Sequence, residues 1–96
     1  MYACRICETH LSSECQIISK SFQGRGGKAY LMDQVVNVYL GLKETRKLMT
    51  GNHEVADIFC IDCHTLAGWT YIAASETSQK YKEGHFILEK KAFKSV

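Results

Sequence analysis

Two cysteine pairs carry the chemistry most readily read from this chain: Cys4-Arg5-Ile6-Cys7 near its start and Cys60-Ile61-Asp62-Cys63-His64 in its second half. A Cys-x-x-Cys-His run can attach a c-type haem, run dithiol redox chemistry, or supply half of a zinc site. Haem attachment would leave Cys4 and Cys7 without a role and would need an export route. A redox pair ordinarily opens a helix after a strand in a βαβ setting, and the chain has no such pattern. Two residues between cysteines let both thiolates of a tight turn reach one ion at about 2.3 Å, and two such turns complete a tetrahedral site. The expected cofactor is therefore one structural zinc per chain, on Cys4, Cys7, Cys60 and Cys63. A zinc ribbon closes its loop in about 15–20 residues, whereas about 50 separate Cys7 from Cys60. The ion should clamp distant elements together, coupling metal binding to folding.

The rest of the chain must position those thiolates. Ninety-six residues make one domain, 1–96, and a chain of this size buries only roughly 60–65% of its unfolded surface, so a cross-link helps. The composition is 46% hydrophobic and 23% charged with a net charge of +2, which argues against disorder and against a strong polyanion partner. The start, MYACRICETH, has no basic segment followed by an apolar one, and no stretch approaches about 18 apolar residues. An intracellular chain without a membrane span is expected. An odd count of five cysteines then favours metal over disulfides.

Short strand-like runs dominate, and an all-β fold is expected. ECQIISKSF places Cys15, Ile17, Ser19 and Ser21 on one face and Gln16, Ile18, Lys20 and Phe22 on the other, as in a strand. QGRGGKA reads as a turn. YLMDQVVNVYLG, HEVADIFC, GWTYIAA and HFILEKKAF are rich in Val, Ile, Tyr and Phe and bounded by Gly, Asn or Ser, again as in strands. LKETRKLM alone has helical propensity, in a segment too short to be stable by itself. With no proline and no linker, no internal boundary is expected.

Other residues with chemical capacity have plainer readings. Cys15 is expected to be a small apolar residue on a strand. His10 and His64 lie close to the pairs, but four cysteines leave them as surface or supporting groups. His53 and Asp57 would share one face of a strand, as a base and its orienting carboxylate do; without a nucleophile they read as a solvated pair. QGRGGK lacks the spacing of a phosphate-binding loop. The lysines of EKKAFKSV read as a solvated basic tail, and nucleic-acid binding is not expected.

Taken in order, YACRICETHLS, IISKSFQGRGGKAYL, VVNVYLG, VADIFCIDCHTLAGWTY and ETSQKYKEGHFILE resemble the Yippee family over nearly the whole chain. That family is similar in fold to the drug-binding domain of cereblon and, more distantly, to methionine-R-sulfoxide reductases. The resemblance implies two antiparallel sheets pinned at a zinc ion in a tent-like arrangement, ligands at the four paired cysteines, and a strand for LKETRKLM. The chain departs from the family in a short segment before Cys4, in Leu66, Ala67 and Thr70 around Trp69, and in Cys15, where an acidic residue is common. The reductases carry a catalytic cysteine well after the second zinc pair, and no cysteine follows Cys63. A non-enzymatic binding module is therefore expected, with a thiol enzyme using Cys15 as the alternative. The resemblance further implies a nuclear or cytoplasmic regulator with protein partners, linked to cell division, stress or ubiquitin-ligase assemblies. Trp69 aligns with one wall of cereblon's aromatic cage, and Tyr71 falls on the same face of a strand. Val55 stands where cereblon has another tryptophan, so cyclic imides should bind weakly or not at all. The expected ligand groove for a peptide or small molecule lies between Thr50–Val55, including Asn52 and His53, and Trp69–Tyr71.

Overall fold

A computed structural model describes all of residues 1–96. Ten strands run through the chain: β1 (Tyr2–Cys4), β2 (His10–Ser12), β3 (Ile17–Gly24), β4 (Gly27–Met32), β5 (Val38–Leu40), β6 (Glu44–Leu48), β7 (Gly51–Cys60), β8 (Leu66–Ala74), β9 (Phe86–Glu89) and β10 (Phe93–Ser95). Between them lie only short 3-10 turns at Glu14–Gln16, Thr77–Lys82 and Lys90–Ala92, so no helix is long and apolar enough to cross a membrane.

The strands form two antiparallel sheets. The small one has the order β10-β1-β2, and the large one β3-β4-β9-β8-β7-β5, with β6 also paired to β7. β5 and β6 share one edge of β7: Val38–Leu40 pairs with Ile58–Cys60, and Glu44–Leu48 pairs with Gly51–Val55. LKETRKLM is thus strand at its centre. Its charged residues suit an edge, where they discourage pairing with another chain.

Alternation along the strands divides the core, because successive side chains in a strand point to opposite faces. Tyr30 and Met32 of β4, Leu88 of β9, Ala67 of β8 and Ile58 and Cys60 of β7 join Tyr2, Cys4, Leu11 and Phe93 in a cluster between the two sheets. Ala29 and Leu31, Ile87, Trp69 and Tyr71, and Val55 point the other way and form a second cluster with Phe22 and Leu48 at its margin. Both faces of the large sheet are therefore apolar, which explains the unbroken runs AYLM and FIL.

Several sequence expectations are corrected here. Cys15 lies on the Glu14–Gln16 turn and is exposed, not on a strand. The C-terminal lysines are not a solvated tail: Phe93–Ser95 pairs with Tyr2–Cys4, and Lys94 forms an ion pair with Glu8. Nor are His53 and Asp57 a solvated pair. The irregularity opposite Glu54 and Val55 places an extra residue, Ile72, in β8 and leaves β7 regularly paired with β6, so the two residues keep one face of β7 but not one environment. His53 is buried and donates from Nδ1 to the Gly51 carbonyl at 2.9 Å, while Asp57 is bonded to Arg46 at 2.8 Å. The turn expected at QGRGGKA is present as a two-residue loop, Arg25-Gly26, between the paired Gly24 and Gly27.

Candidate metal centre and aromatic cavity

Each cysteine pair sits where a strand ends. β1 delivers Cys4 and β7 delivers Cys60, and the chain then turns through the same geometry twice. Glu8 N–H donates to the Cys4 carbonyl at 2.9 Å, and His64 N–H donates to the Cys60 carbonyl at 2.8 Å. The residue after each second cysteine takes a left-handed conformation, with φ of 63° at Glu8 and 64° at His64. Backbone bonds from Cys4 N–H to Thr9 and from Cys60 N–H to Thr65 close each loop at 2.8 and 2.9 Å.

These turns bring four thiols together across the junction of the sheets. All four Sγ atoms lie within 4.8 Å of one another, with Cys4–Cys63 at 3.6 Å and Cys7–Cys60 at 3.5 Å. Sulfurs at the corners of a tetrahedron around zinc, each bonded at about 2.3 Å, stand about 3.8 Å apart. All five cysteines are free thiols, and Cys15 lies outside the cluster. Chemistry and spacing both fit zinc. Neither nearby histidine belongs to the donor set: His64 Nδ1 is bonded to the Tyr39 hydroxyl at 2.9 Å, and His10 sits on β2.

The thiols do not hold their protons alike. Burial pushes Cys4 up to about 11, whereas the Thr65 hydroxyl and amide favour the Cys63 thiolate and bring it down to about 6. A cation must displace the Cys4 proton at neutral pH, so binding releases protons and weakens as the solution is acidified. The Cys63 contribution has the matching sign. With its folded pKa lowered, Cys63 contributes stability that is full only above the ordinary thiol value of 9.0, shrinks below it, and is lost as pH falls through about 6.

Two threonines missed in the sequence support the sulfurs. Thr9 Oγ1 stands 3.1 Å from Cys7 Sγ, and Thr65 Oγ1 stands 3.1 Å from Cys63 Sγ. The signal was available as a repeated pattern, Cys-x-x-Cys-x-Thr, in CRICET and CIDCHT. Asp62 Oδ2, 3.4 Å from Thr9 Oγ1 on the other turn, is the alternative acceptor for that single hydroxyl proton. Removing such supporting groups typically costs about 10–100-fold in metal affinity. Thr65→Val should accordingly weaken zinc by about tenfold while leaving the fold intact, as competition against a chromophoric chelator would measure; unchanged affinity would remove Thr65 from the supporting role.

On the opposite face of the large sheet lies a cavity of about 750 Å³, floored by Trp69 and Tyr71. β3 and β6 form its walls, and the Thr77–Lys82 turn closes one end. Trp69 and Tyr71 do share a face, with ring centres 6.2 Å apart at 76°. The indole is mostly core: only 8% of Trp69 is exposed, although it still borders the cavity. Three other residues of the expected groove fall elsewhere. Val55 is completely buried beside Tyr71, its cross-strand partner, in the cluster that holds Trp69, while Asn52 and His53 border a separate hollow of about 250 Å³. Asn52 and His53 are successive residues near the start of β7, paired with Lys47 and Arg46 of β6, and Ala73–Ser75 form the other side of that hollow.

Lys82 was not anticipated at all. Only 4% exposed, its ammonium donates to Thr50 Oγ1 at 3.2 Å and lies over the rings of Tyr71, Phe22 and Tyr81 at 5.2, 5.4 and 6.0 Å. Burial lowers its pKa. Taking an ammonium out of water costs several kcal/mol, and aromatic contacts of about 0.5–2 kcal/mol each offset much of that. No periodicity in TSQKYK marks this lysine as buried.

A small all-β domain whose two sheets meet at a four-thiol metal centre is the class that this fold and site define. Comparison with known proteins gives the family: the model described as "Yippee zinc-binding/DNA-binding /Mis18, centromere assembly" matches residues 1–96. The chain belongs to the Yippee family, with one structural zinc per chain as its cofactor. A yippee-like protein of Arabidopsis thaliana is 56% identical over 90 residues, which cover 94% of this chain and 70% of that protein. Protein yippee-like 3 of Danio rerio is 57% identical over 88 residues, 92% of this chain and 74% of its own length. Protein yippee-like 4 of Homo sapiens is also 57% identical over 88 residues, covering 92% and 69% respectively.

Proposed function

We propose that the chain is a non-enzymatic recognition module, in which zinc held by Cys4, Cys7, Cys60 and Cys63 keeps the sheets in place and the Trp69–Tyr71 cavity receives a small ligand or a segment of a partner protein. The observation that supports it most is the cavity itself. At about 750 Å³ it falls within the roughly 300–1,000 Å³ typical of ligand sites, and it lies on the face of the large sheet opposite the cluster that holds Cys4 and Cys60. A regulator in the nucleus or cytoplasm, acting in cell division, stress or ubiquitin-ligase assemblies, is the setting we infer. The centromere-assembly wording of the family description supports the cell-division part of that reading.

The same description mentions DNA binding, which a net charge of +2 supports poorly. Screening a peptide and fragment library by NMR on zinc-loaded protein tests the proposal. Shifts should converge on the Trp69 indole and weaken in Tyr81→Ala, a half-exposed position bordering the cavity. Shifts confined to the cysteine turns, or strongly salt-dependent binding of duplex DNA, would contradict it.

Cys15 supplies the test of the enzyme alternative. The polar groups beside its sulfur are the Ser13 hydroxyl at 3.1 Å and the Gln16 amide at 3.9 Å. Neither is a base or a cation that would activate a thiol. Zinc-loaded protein should show no turnover of methionine-R-sulfoxide with a dithiol reductant. Turnover abolished by Cys15→Ser would overturn the non-enzymatic reading.

A further inference from the structure

Two residues that line the cavity carry buried donors without a matching acceptor. Lys82 Nζ has three N–H groups, of which one is bonded to Thr50 Oγ1, and no carboxylate lies within ion-pair distance of it. Trp69 Nε1 is fully buried and has no hydrogen-bond partner. Its neighbour across the ring pair, the Tyr71 hydroxyl, feels the indole but makes no bond of normal geometry with it; burial dominates and pushes Tyr71 up. An ammonium without a counter-ion and an orphaned N–H are each costly.

The other cations at the cavity are already matched. Arg46 is bonded to Asp57 at 2.8 Å and paired with Glu44, and Arg25 stands 3.7 Å from Asp57. The uncompensated charge facing the cavity is therefore a single positive one, on Lys82. Around it stand the flat faces of Phe22, Tyr71 and Tyr81.

We propose that the cavity binds a monoanion, a carboxylate carried on a flat apolar body, with the carboxylate accepting from Lys82 Nζ and the body against the aromatic walls. This rests on the cavity being a recognition site, as proposed above. A carboxylate accepts from several donors at once, and a charge-assisted bond is roughly twice as strong as a neutral one. A neutral imide or amide leaves the ammonium uncompensated. A phosphate dianion exceeds the one free positive charge. The carboxylate can come from a small aromatic acid or from the C-terminus of a peptide ending in an aromatic residue.

Trp69 is the sole tryptophan, so one indole N–H resonance reports the site. Zinc-loaded protein labelled with nitrogen-15 would be titrated with phenylacetate, phenylacetamide, phenyl phosphate and acetyl-Gly-Phe bearing a free C-terminus. Phenylacetate should move the indole resonance and bind at least about tenfold more tightly than phenylacetamide. That preference should vanish in Lys82→Met and be partly kept in Lys82→Arg. Tighter binding of the peptide than of phenylacetate assigns a protein C-terminus, and equal binding a small acid. Equal affinity for acid and amide in the unmodified protein, or tighter binding of phenyl phosphate, overturns the carboxylate assignment while leaving the cavity as a recognition site. No movement of the indole with any probe overturns both. The acid-to-amide ratio needs no variant, so the test holds even if a Lys82 replacement fails to fold.

Discussion

Cys60→Ser is expected to abolish stoichiometric zinc and with it the folded state. Cys60 is completely buried at the end of β7, and its partner in the cluster, Cys7, comes from a turn on the other sheet. Structural zinc contributes apparent binding energies of about 10–16 kcal/mol in small domains, comparable with or larger than the whole stability of about 5–15 kcal/mol of an ordinary domain. The small sheet has few resources of its own. Its three strands have three residues each, and β1 reaches the large sheet's β7 through the metal. Elemental analysis should give one zinc per unmodified chain and well under one for the variant, with loss of cooperative thermal unfolding. Cys15→Ser, outside the cluster, should retain both. A Cys60→Ser protein that unfolds cooperatively with its zinc intact would contradict this account.

Gly68→Ala should be nearly as damaging, for a reason unrelated to metal. Gly68 sits at the centre of the large sheet, opposite Ile58 on one side and Leu88 on the other. A Cβ there would lie 1.9 Å from the Ile87 carbonyl oxygen and 2.9 Å from its carbon. Both obstacles are backbone, so relief requires moving β8 or β9 by about 1 Å. Such a shift would also disturb Trp69 next to it. We expect a loss on the order of 4–5 kcal/mol, at the upper end for a single substitution, read as a fall in the urea midpoint. Gly84→Ala is the control. Nothing lies within 4 Å of its Cβ position, although its φ of 80° carries strain, so a cost of about 1–2 kcal/mol is expected. Equal costs at the two positions would show that backbone conformation, not close approach, sets the requirement at Gly68.

What could be read from the sequence follows from how locally each feature is determined. The cysteine pairs were legible because two-residue spacing is a covalent constraint that tertiary structure cannot alter. HEVADIFC and HFIL were legible as strand from their Val, Ile and Phe content, while the apolar clusters on both faces of the same sheet leave such runs without polar alternation. LKETRKLM was ambiguous because Glu, Lys, Arg and Leu favour helices, and only pairing with Gly51–Val55 decides for strand.

The misread features depend on partners distant in sequence. KKAFKSV looks like a tail, but Phe93 is 1% exposed against Tyr2 and Tyr30, and the strand it opens exists only because β1 lies alongside. The groove expected between Thr50–Val55 and Trp69–Tyr71 was placed by resemblance to cereblon and not by any local signal in the residues. Val55 is instead buried in the cluster with Trp69 and Tyr71, and His53, opposite Ala74 of β8, borders another hollow. Lys82 was invisible for the same reason. Its burial is created by Phe22, Thr50 and Tyr71, which come from three other parts of the chain.

Zinc-edge X-ray absorption on the purified protein tests most directly whether the metal joins the two sheets through the paired cysteines. Four sulfurs at about 2.3 Å and no nitrogen in the coordination sphere are expected, with the spectrum unchanged in Cys15→Ser. Three sulfurs with one nitrogen, as His10 or His64 would supply, or a spectrum altered by Cys15→Ser, would contradict the four-thiol centre.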